Sequence, residues 1–251
     1  MTATMTLRYV QLSARTAVRK VRFLVLTVAL PVLLYLVYSG LYRGQTMDDA
    51  TGYSINAYLM ISMAAFGGIG AALNATARVA IERQTGWNRQ LRLTALTPTG
   101  YVVAKIAVAM AVCLPAIVLV YVAGDLVGKV HLSAGQWIGS GLAIWLGLIP
   151  FAVLGLVIGY AGSADSIQPL VMLAYLGSSL LGGLWFPVES MATWVQDIAR
   201  LTPAYQLAAV ARSISGFGEF DWRYVAGLAG WTAVFGVLAA LAYRRSGRKV
   251  G

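Results

Sequence analysis

Charged residues are scarce in this chain of 251 residues. They make up 11% of it, hydrophobic residues make up 59%, and the mean hydropathy is +0.73. A soluble domain has about a quarter of its residues charged. The composition therefore excludes a soluble globular protein and predicts an integral membrane protein.

Cysteine and histidine are almost absent, with one of each, Cys113 and His131. A single cysteine excludes an internal disulfide and argues against a cysteine-based metal site. His131 stands in a short stretch beside Lys129, which is the usual setting of a solvated loop histidine. A serine hydrolase would need this histidine beside a serine such as Ser178, which lies deep in another apolar run. We therefore predict no catalytic residue and no metal site.

Long apolar runs make up most of the chain. A membrane-spanning helix needs about 20 mainly apolar residues, and continuous runs favour helices over barrel strands, which alternate. We predict an all-α integral membrane protein in which residues 1–251 form a single transmembrane domain with six membrane-spanning helices. The six runs are Phe23–Tyr42, Ala57–Ala77, Val102–Val127, Trp137–Ala161, Ile167–Phe186 and Tyr224–Tyr243.

The basic residues predict the orientation. Five precede the first run, four lie between Arg78 and Arg92 with Lys105 just beyond, and four follow the last run. In a six-span layout all of them fall on one side, so both termini are predicted to be cytoplasmic. The net charge of +10 is divided among short loops beside the membrane. Nucleic acid is therefore not an expected partner, whereas membrane lipids are.

Two amphipathic segments flank the runs. Residues 1–22 place arginines on one helical face and apolar residues on another, which predicts a helix lying in the membrane interface; a basic flank that only determines topology is the alternative. Residues 187–215 have apolar residues at helical spacing, interrupted at Thr202-Pro203. We predict a re-entrant helix pair in the outer leaflet, with a helix on the outer surface as the alternative.

Two acidic residues interrupt the apolar pattern. An Asp at the centre of a span costs about 2.5 to 3.5 kcal/mol. Asp165 is therefore predicted to lie in a turn over residues 162–166. Asp125 is predicted near the outer end of the third span, where it either reaches water or Lys129, or faces a transport pathway.

A charged segment, residues 82–98, separates the second and third runs. Trp87 and Leu91 are four residues apart, which suits a short helix with apolar and charged faces, although Gly86 weakens it. On periodicity alone, a basic loop that only determines topology is an equally good interpretation.

Two motifs resemble a known family. The Glu-Arg-Gln-Thr-Gly sequence at 82–86, followed by Arg89, Leu91 and Thr97-Pro98, resembles the cytoplasmic signature of type-2 ABC export permeases. The Gly-Gly-Leu-Trp-Phe-Pro sequence at 182–187, followed by Thr202-Pro203 and Arg212, resembles the outer end of the fifth span in that family.

The resemblance implies a permease of a bacterial plasma (inner) membrane that works with a second permease, identical or related. A separate nucleotide-binding ATPase subunit would bind ATP and Mg, since this chain has no phosphate-binding loop and is expected to hold no cofactor. Residues 82–98 would contain the coupling helix that contacts the ATPase, although Trp87 and Asn88 depart from the family pattern. The implied coupling residues are Glu82, Arg83, Gly86, Trp87, Arg89 and Leu91.

By the same resemblance, the second and fifth spans line the route, although plain packing is an equal alternative for their residues. A weakly polar lining favours a small lipophilic or amphipathic substrate of drug or antibiotic type over an ion. The alternative function is a membrane anchor, regulatory or immunity subunit that transports nothing. The residues predicted for the pathway or gate are Ser62, Phe66, Asn74, Ser178, Leu181 and Phe186.

Overall fold

The computed structural model describes residues 21–42, 54–85 and 98–248, and within these ranges the regular elements are helices. This confirms the predicted all-helical class. A short 3-10 turn, Val188–Ser190, lies between α7 and α8. The helices are α1 Val21–Leu41, α2 Ile55–Ala77, α3 Val79–Gln84, α4 Pro98–Leu126, α5 Ala134–Gly147, α6 Ile149–Ala161, α7 Ile167–Leu181, α8 Thr193–Leu201, α9 Pro203–Ile214 and α10 Trp222–Arg248.

Four stretches are long and apolar enough to cross a membrane. They correspond to the second, third, fourth and sixth predicted runs, while α1 and α7 contain shorter apolar helices. The six-span layout, the orientation and the leaflet position of residues 187–215 remain predictions. The predicted interfacial helix, residues 1–22, lies outside the described residues except for its last two. The four stretches are Ile55–Gln84, Thr99–Leu126, Ala134–Ala161 and Trp222–Arg245.

Helix α2 is the centre of the bundle. It packs mainly against α4 and α6, and nearly all of its side chains are buried. Its many small residues allow neighbours to approach on every side. A β-carbon added at Gly68, for example, would lie 2.5 Å from Leu148 of the α5–α6 junction. By contrast, α10 lies at the edge of the bundle, where most of its described side chains are exposed or half-buried.

One of the predicted spans is interrupted. A one-residue turn at Leu148 separates α5 from α6 within the fourth predicted run, and a similar turn at Arg78 separates α2 from α3 just beyond the end of the second. Pro150 lies two residues after Leu148 and has no backbone N–H to continue the hydrogen bonding of α5. The predicted span Trp137–Ala161 nevertheless lies within a single stretch that is long and apolar enough to cross a membrane, Ala134–Ala161. The turn at Leu148 within it was not predicted.

Between α6 and α7, the predicted turn over residues 162–166 is confirmed. The Ser163 backbone N–H donates to Ser166 Oγ at 2.9 Å, and the Ser166 N–H donates to Ser163 Oγ at 3.3 Å. These reciprocal bonds close the turn, and Asp165 within it is exposed. The carboxylate therefore avoids the cost of burial, which is why the sequence tolerates an acid here.

The predicted helix break at Thr202-Pro203 is also confirmed. The Thr202 hydroxyl accepts from the Tyr205 N–H at 3.3 Å and caps α9, and Pro203 occupies its first turn. Helix α9 is largely buried, with contacts to α5, α10 and α2. Helix α8 is exposed, with Trp194 67% and Leu201 70% accessible.

Candidate functional site

An ionic cluster ties the end of α3 to the first turns of α4. The Glu82 carboxylate accepts hydrogen bonds from Lys105 Nζ and from Tyr101 Oη, the latter at 2.5 Å. Tyr101 and Lys105 are four residues apart, so one face of α4 presents both donors. Only 10% of the Lys105 side chain and 24% of the Glu82 side chain are accessible. This partial burial strengthens the ion pair relative to one on an open surface.

Arg83 ties the same end of α3 to α6. Its Nη1 donates to the carbonyls of Tyr160 at 2.7 Å and Gly159 at 3.3 Å. These carbonyls belong to the last turn of α6, which has no partners for them within the helix and carries the negative end of its dipole. A guanidinium satisfies both needs. We call Glu82, Arg83, Tyr101 and Lys105 the Glu82 cluster.

Two glycines bring α6 close enough to α2 for this arrangement. A β-carbon at Gly155 would lie 2.7 Å from the Leu73 carbonyl oxygen, and one at Gly159 would lie 2.9 Å from that of Ala77. Their spacing of four residues places them on one face of α6. Any larger side chain would push α6 away from α2 and away from Arg83.

The structure locates only part of the predicted coupling segment. Glu82 and Arg83 are bound within the chain, and each points to a different helix. Gly86, Trp87, Arg89 and Leu91 lie outside the described residues. The coupling role of all six therefore stays a prediction.

A second cluster surrounds a buried arginine of α9. Arg212 is 6% exposed, and its Nη2 donates to Ser62 Oγ of α2 at 2.8 Å and to the Gly183 carbonyl at 3.2 Å. Its guanidinium also lies 3.8 Å from the ring centre of Tyr58. Two neutral oxygens and an aromatic face are thus among the partners of this charge. Gly183 has φ +64°, a conformation that glycine adopts without strain. We call Tyr58, Ser62, Gly183 and Arg212 the Arg212 cluster.

Aromatic rings adjoin this cluster along α2. Phe66 stacks on Tyr175 of α7 with ring centres 4.5 Å apart, and it meets the edge of Trp185 at 5.6 Å. Gly70 leaves room for Tyr175, since a β-carbon there would lie 2.9 Å from its ring. The rings join α2 to α7 and to the segment that follows it.

The predicted pathway residues of α2 lie inside the chain. Ser62 and Phe66 have no accessible surface, and Asn74 is half-buried with its Nδ2 donating to the Gly70 carbonyl at 2.9 Å. Within one subunit these side chains therefore pack against protein.

The predicted residues of α7 and its C-terminal end are more accessible. Ser178 is half-buried, while Leu181 is 41% and Phe186 51% exposed. The structure thus joins Ser62 to Arg212 and Phe66 to Tyr175, but leaves Leu181 and Phe186 on the surface. No observation tests the pathway assignment of either group.

Reasoning from the sequence missed several partners. Lys105 was counted only as a topology charge, although its spacing from Tyr101 beside an acidic segment could have indicated an ion-pair site. Tyr58, Tyr175 and the two glycines of α6 carried no local signal that distinguished them from packing residues. Within the described ranges, no group of three or more His, Cys, Asp and Glu side chains could hold a metal ion.

Comparison with known proteins adds two findings. A family model described as "ABC-2 family transporter protein" matches residues 44–243. A protein of Bacillus subtilis (strain 168), named "Putative transport permease YvfS", is 25% identical over 224 residues, which cover 89% of this chain and 90% of that protein.

Proposed function

This chain belongs to the ABC-2 transporter family and is a multi-pass membrane permease, and we propose that it is the transport subunit of an ATP-driven exporter. In this proposal a separate ATPase subunit binds and hydrolyses ATP, and a second permease completes the route. The substrate is a small lipophilic or amphipathic compound.

The Glu82 cluster carries this proposal. Two consecutive residues at the start of the coupling segment are bound to two different helices, Glu82 to α4 and Arg83 to α6. A displacement of the segment by the ATPase would therefore pull on both helices together. In this mechanism Glu82 and Arg83 transmit motion into the bundle, while Gly86, Trp87, Arg89 and Leu91 contact the ATPase.

The exposed apolar surface supports a second permease. Leu173 of α7 is 72% exposed, and Leu181 and Phe186 follow it along the same region. Such surface is stable in a membrane against lipid or another apolar helix. We propose that this region of both permeases encloses a weakly polar route, and that Ser178, Leu181 and Phe186 face it. Ser62, Phe66 and Asn74 would support the wall from behind.

Basic residues support the proposed location. Their concentration on one side of the six-span layout supports a cytoplasmic position for both termini and for the Glu82 cluster. The membrane would be the inner membrane of a bacterium. In this orientation the Glu82 cluster would lie on the side where ATP is available.

Purification of the full chain from its native membrane in mild detergent tests the proposal. We expect a nucleotide-binding ATPase at a ratio of one to one, identified by mass spectrometry. Lipophilic compounds should stimulate ATP hydrolysis by the reconstituted complex. Recovery of the chain without an ATPase would instead support the anchor, regulatory or immunity alternative.

A Lys105→Met variant tests the role of the Glu82 cluster. We expect the ATPase to remain bound while compound export per ATP hydrolysed falls several-fold. Lys129→Met, at an exposed residue in the segment between α4 and α5, is the matched control and should leave export unchanged. Equal export by both variants would overturn the proposed coupling route.

A further inference from the structure

An apolar groove of about 760 Å³ lies between α4 and α5, away from both clusters. None of the residues predicted for the coupling segment or the pathway lines it. Its walls include Leu114 and Val118 of α4 and Ile138 and Leu142 of α5, which are 42% to 64% exposed. The groove therefore opens sideways, toward the membrane.

Gly141 and the rings of Tyr121 and Trp145 form the floor of the groove. Gly141 lines it, and a β-carbon there would meet the Tyr121 ring only at 3.6 Å, an ordinary contact. Tyr121 Oη bonds to Ser140 Oγ at 2.9 Å, and Trp145 Nε1 donates to the Met110 carbonyl at 2.8 Å. The polar atoms of both rings are thus satisfied within the protein, so the rings offer apolar surface to an occupant.

Asp125 supplies the one carboxylate among the lining residues. It is exposed, and among the described residues it forms no ion pair within 4.0 Å. It stands one residue before the C-terminal end of α4, where the helix dipole disfavours a negative charge. A cation from outside the chain would stabilise it.

The position of Asp125 along α4 gives its depth in the membrane. The twenty residues from Lys105 to Asp125 span about 30 Å of helix, the thickness of the hydrocarbon core. Asp125 therefore lies near the interface opposite the Glu82 cluster. The eleven residues from Leu114 to Asp125 span about 17 Å, close to the depth of one leaflet.

We propose that this groove binds a phospholipid with a primary ammonium headgroup. One acyl chain lies along the apolar floor over Gly141, and the ammonium group donates hydrogen bonds to the Asp125 carboxylate. The site goes beyond the proposed transport function, because it requires only that α4 and α5 cross the membrane.

The test uses the full chain reconstituted in nanodiscs of equal parts phosphatidylethanolamine and phosphatidylglycerol, followed by native mass spectrometry. We expect one phosphatidylethanolamine to be retained per chain. Asp125→Asn should lower its retention by about tenfold, as expected for the loss of one charge-assisted bond. Asp197→Asn, an exposed acid of α8 outside the groove, should have no effect.

Filling the groove gives a second variant. Gly141→Leu should abolish retention, whereas Gly230→Leu on the exposed α10, with no atom within 4 Å of its β-carbon, should not. A diazirine on the acyl chain of phosphatidylethanolamine should crosslink the wild-type chain at α4 or α5, which requires no variant to fold. Preferred retention of phosphatidylglycerol, unchanged retention by Asp125→Asn, or crosslinks confined to other helices would overturn the proposal.

Discussion

The Glu82 and Arg212 clusters differ in how far water can reach their charges. In the Glu82 cluster a carboxylate meets an ammonium group, and 24% of the Glu82 side chain remains accessible. In the Arg212 cluster a guanidinium only 6% exposed is bound by a hydroxyl, a carbonyl and a ring. Ser62 and Glu82 are twenty residues apart, which corresponds to about 30 Å along α2 and α3.

Because of this difference, we expect the contacts of the Glu82 cluster to rearrange easily and those of the Arg212 cluster to hold the bundle together. Water can reach the Glu82 cluster and replace a broken hydrogen bond there at small cost. In the Arg212 cluster the interior offers no such replacement, so each lost partner leaves a buried polar group unsatisfied. We expect the first to accommodate motion and the second to resist it.

Arg212→Ala should have the largest effect. Two hydrogen bonds from a charged donor are lost, each worth roughly 1.5 to 3 kcal/mol, and recovery of the desolvation cost offsets part of this. We expect the free energy of unfolding to fall by about 3 kcal/mol. Heating in detergent followed by fluorescence-detected size-exclusion chromatography would show it as a lower melting temperature. Arg223→Ala, at an exposed arginine of α10, is the control, and equal melting of the two variants would contradict the prediction.

The Glu82–Lys105 pair should have the next largest effect. A double-mutant cycle with Glu82→Gln and Lys105→Met should give a coupling energy of about 2 kcal/mol, between the values for exposed and buried pairs. The measurement is the stability of the four proteins to heat or denaturant. The pair of Glu82 with the distant Lys129 should be additive. A coupling energy near zero for Glu82 and Lys105 would show that the contact adds nothing to stability.

Ser62→Ala removes a single hydroxyl from the Arg212 cluster. The Arg212 guanidinium loses an acceptor that water cannot replace, so we expect a loss of about 1.5 kcal/mol. Ser213→Ala is the matched control, because that hydroxyl donates only to the Val210 carbonyl of its own helix. Should the two variants melt alike, the bond to Arg212 would carry no stability.

Tyr101→Phe removes a single hydroxyl from the Glu82 cluster, which is more accessible to water. Glu82 loses one donor but keeps Lys105 and gains access to water, so the loss should be about 0.5 kcal/mol. Tyr42→Phe, at a 40% exposed ring, provides the control. A loss larger than that of Ser62→Ala would reverse the comparison between the two clusters.

Much of the fold followed from local patterns. The apolar run Val102–Val127 was predicted within four residues of α4, Pro98–Leu126, and the break at Thr202-Pro203 was located because proline and a capping threonine act on their nearest neighbours. The turn at Leu148 was not predicted, because the sequence is apolar on both sides of it. Hydropathy cannot distinguish one helix from two in line.

The candidate sites were less accessible to prediction. The Glu-Arg motif at residues 82–83 was found, but its partners lie 19 to 77 positions further along the chain. Arg212 was noted only as part of a resemblance, and its contact with Ser62 joins residues 150 positions apart. Such pairs depend on which helix faces meet, and no short-range pattern records that.

The composition and the long apolar runs alone determine that this chain forms membrane helices. A run of about 20 apolar residues has no other stable backbone arrangement in lipid. Helix ends follow from proline, serine and threonine at their caps, since capping acts over three or four residues. The tertiary structure decides where the charges go. It pairs Glu82 with Lys105 and buries Arg212 against Ser62, because small residues on α2 and α6 let distant segments approach.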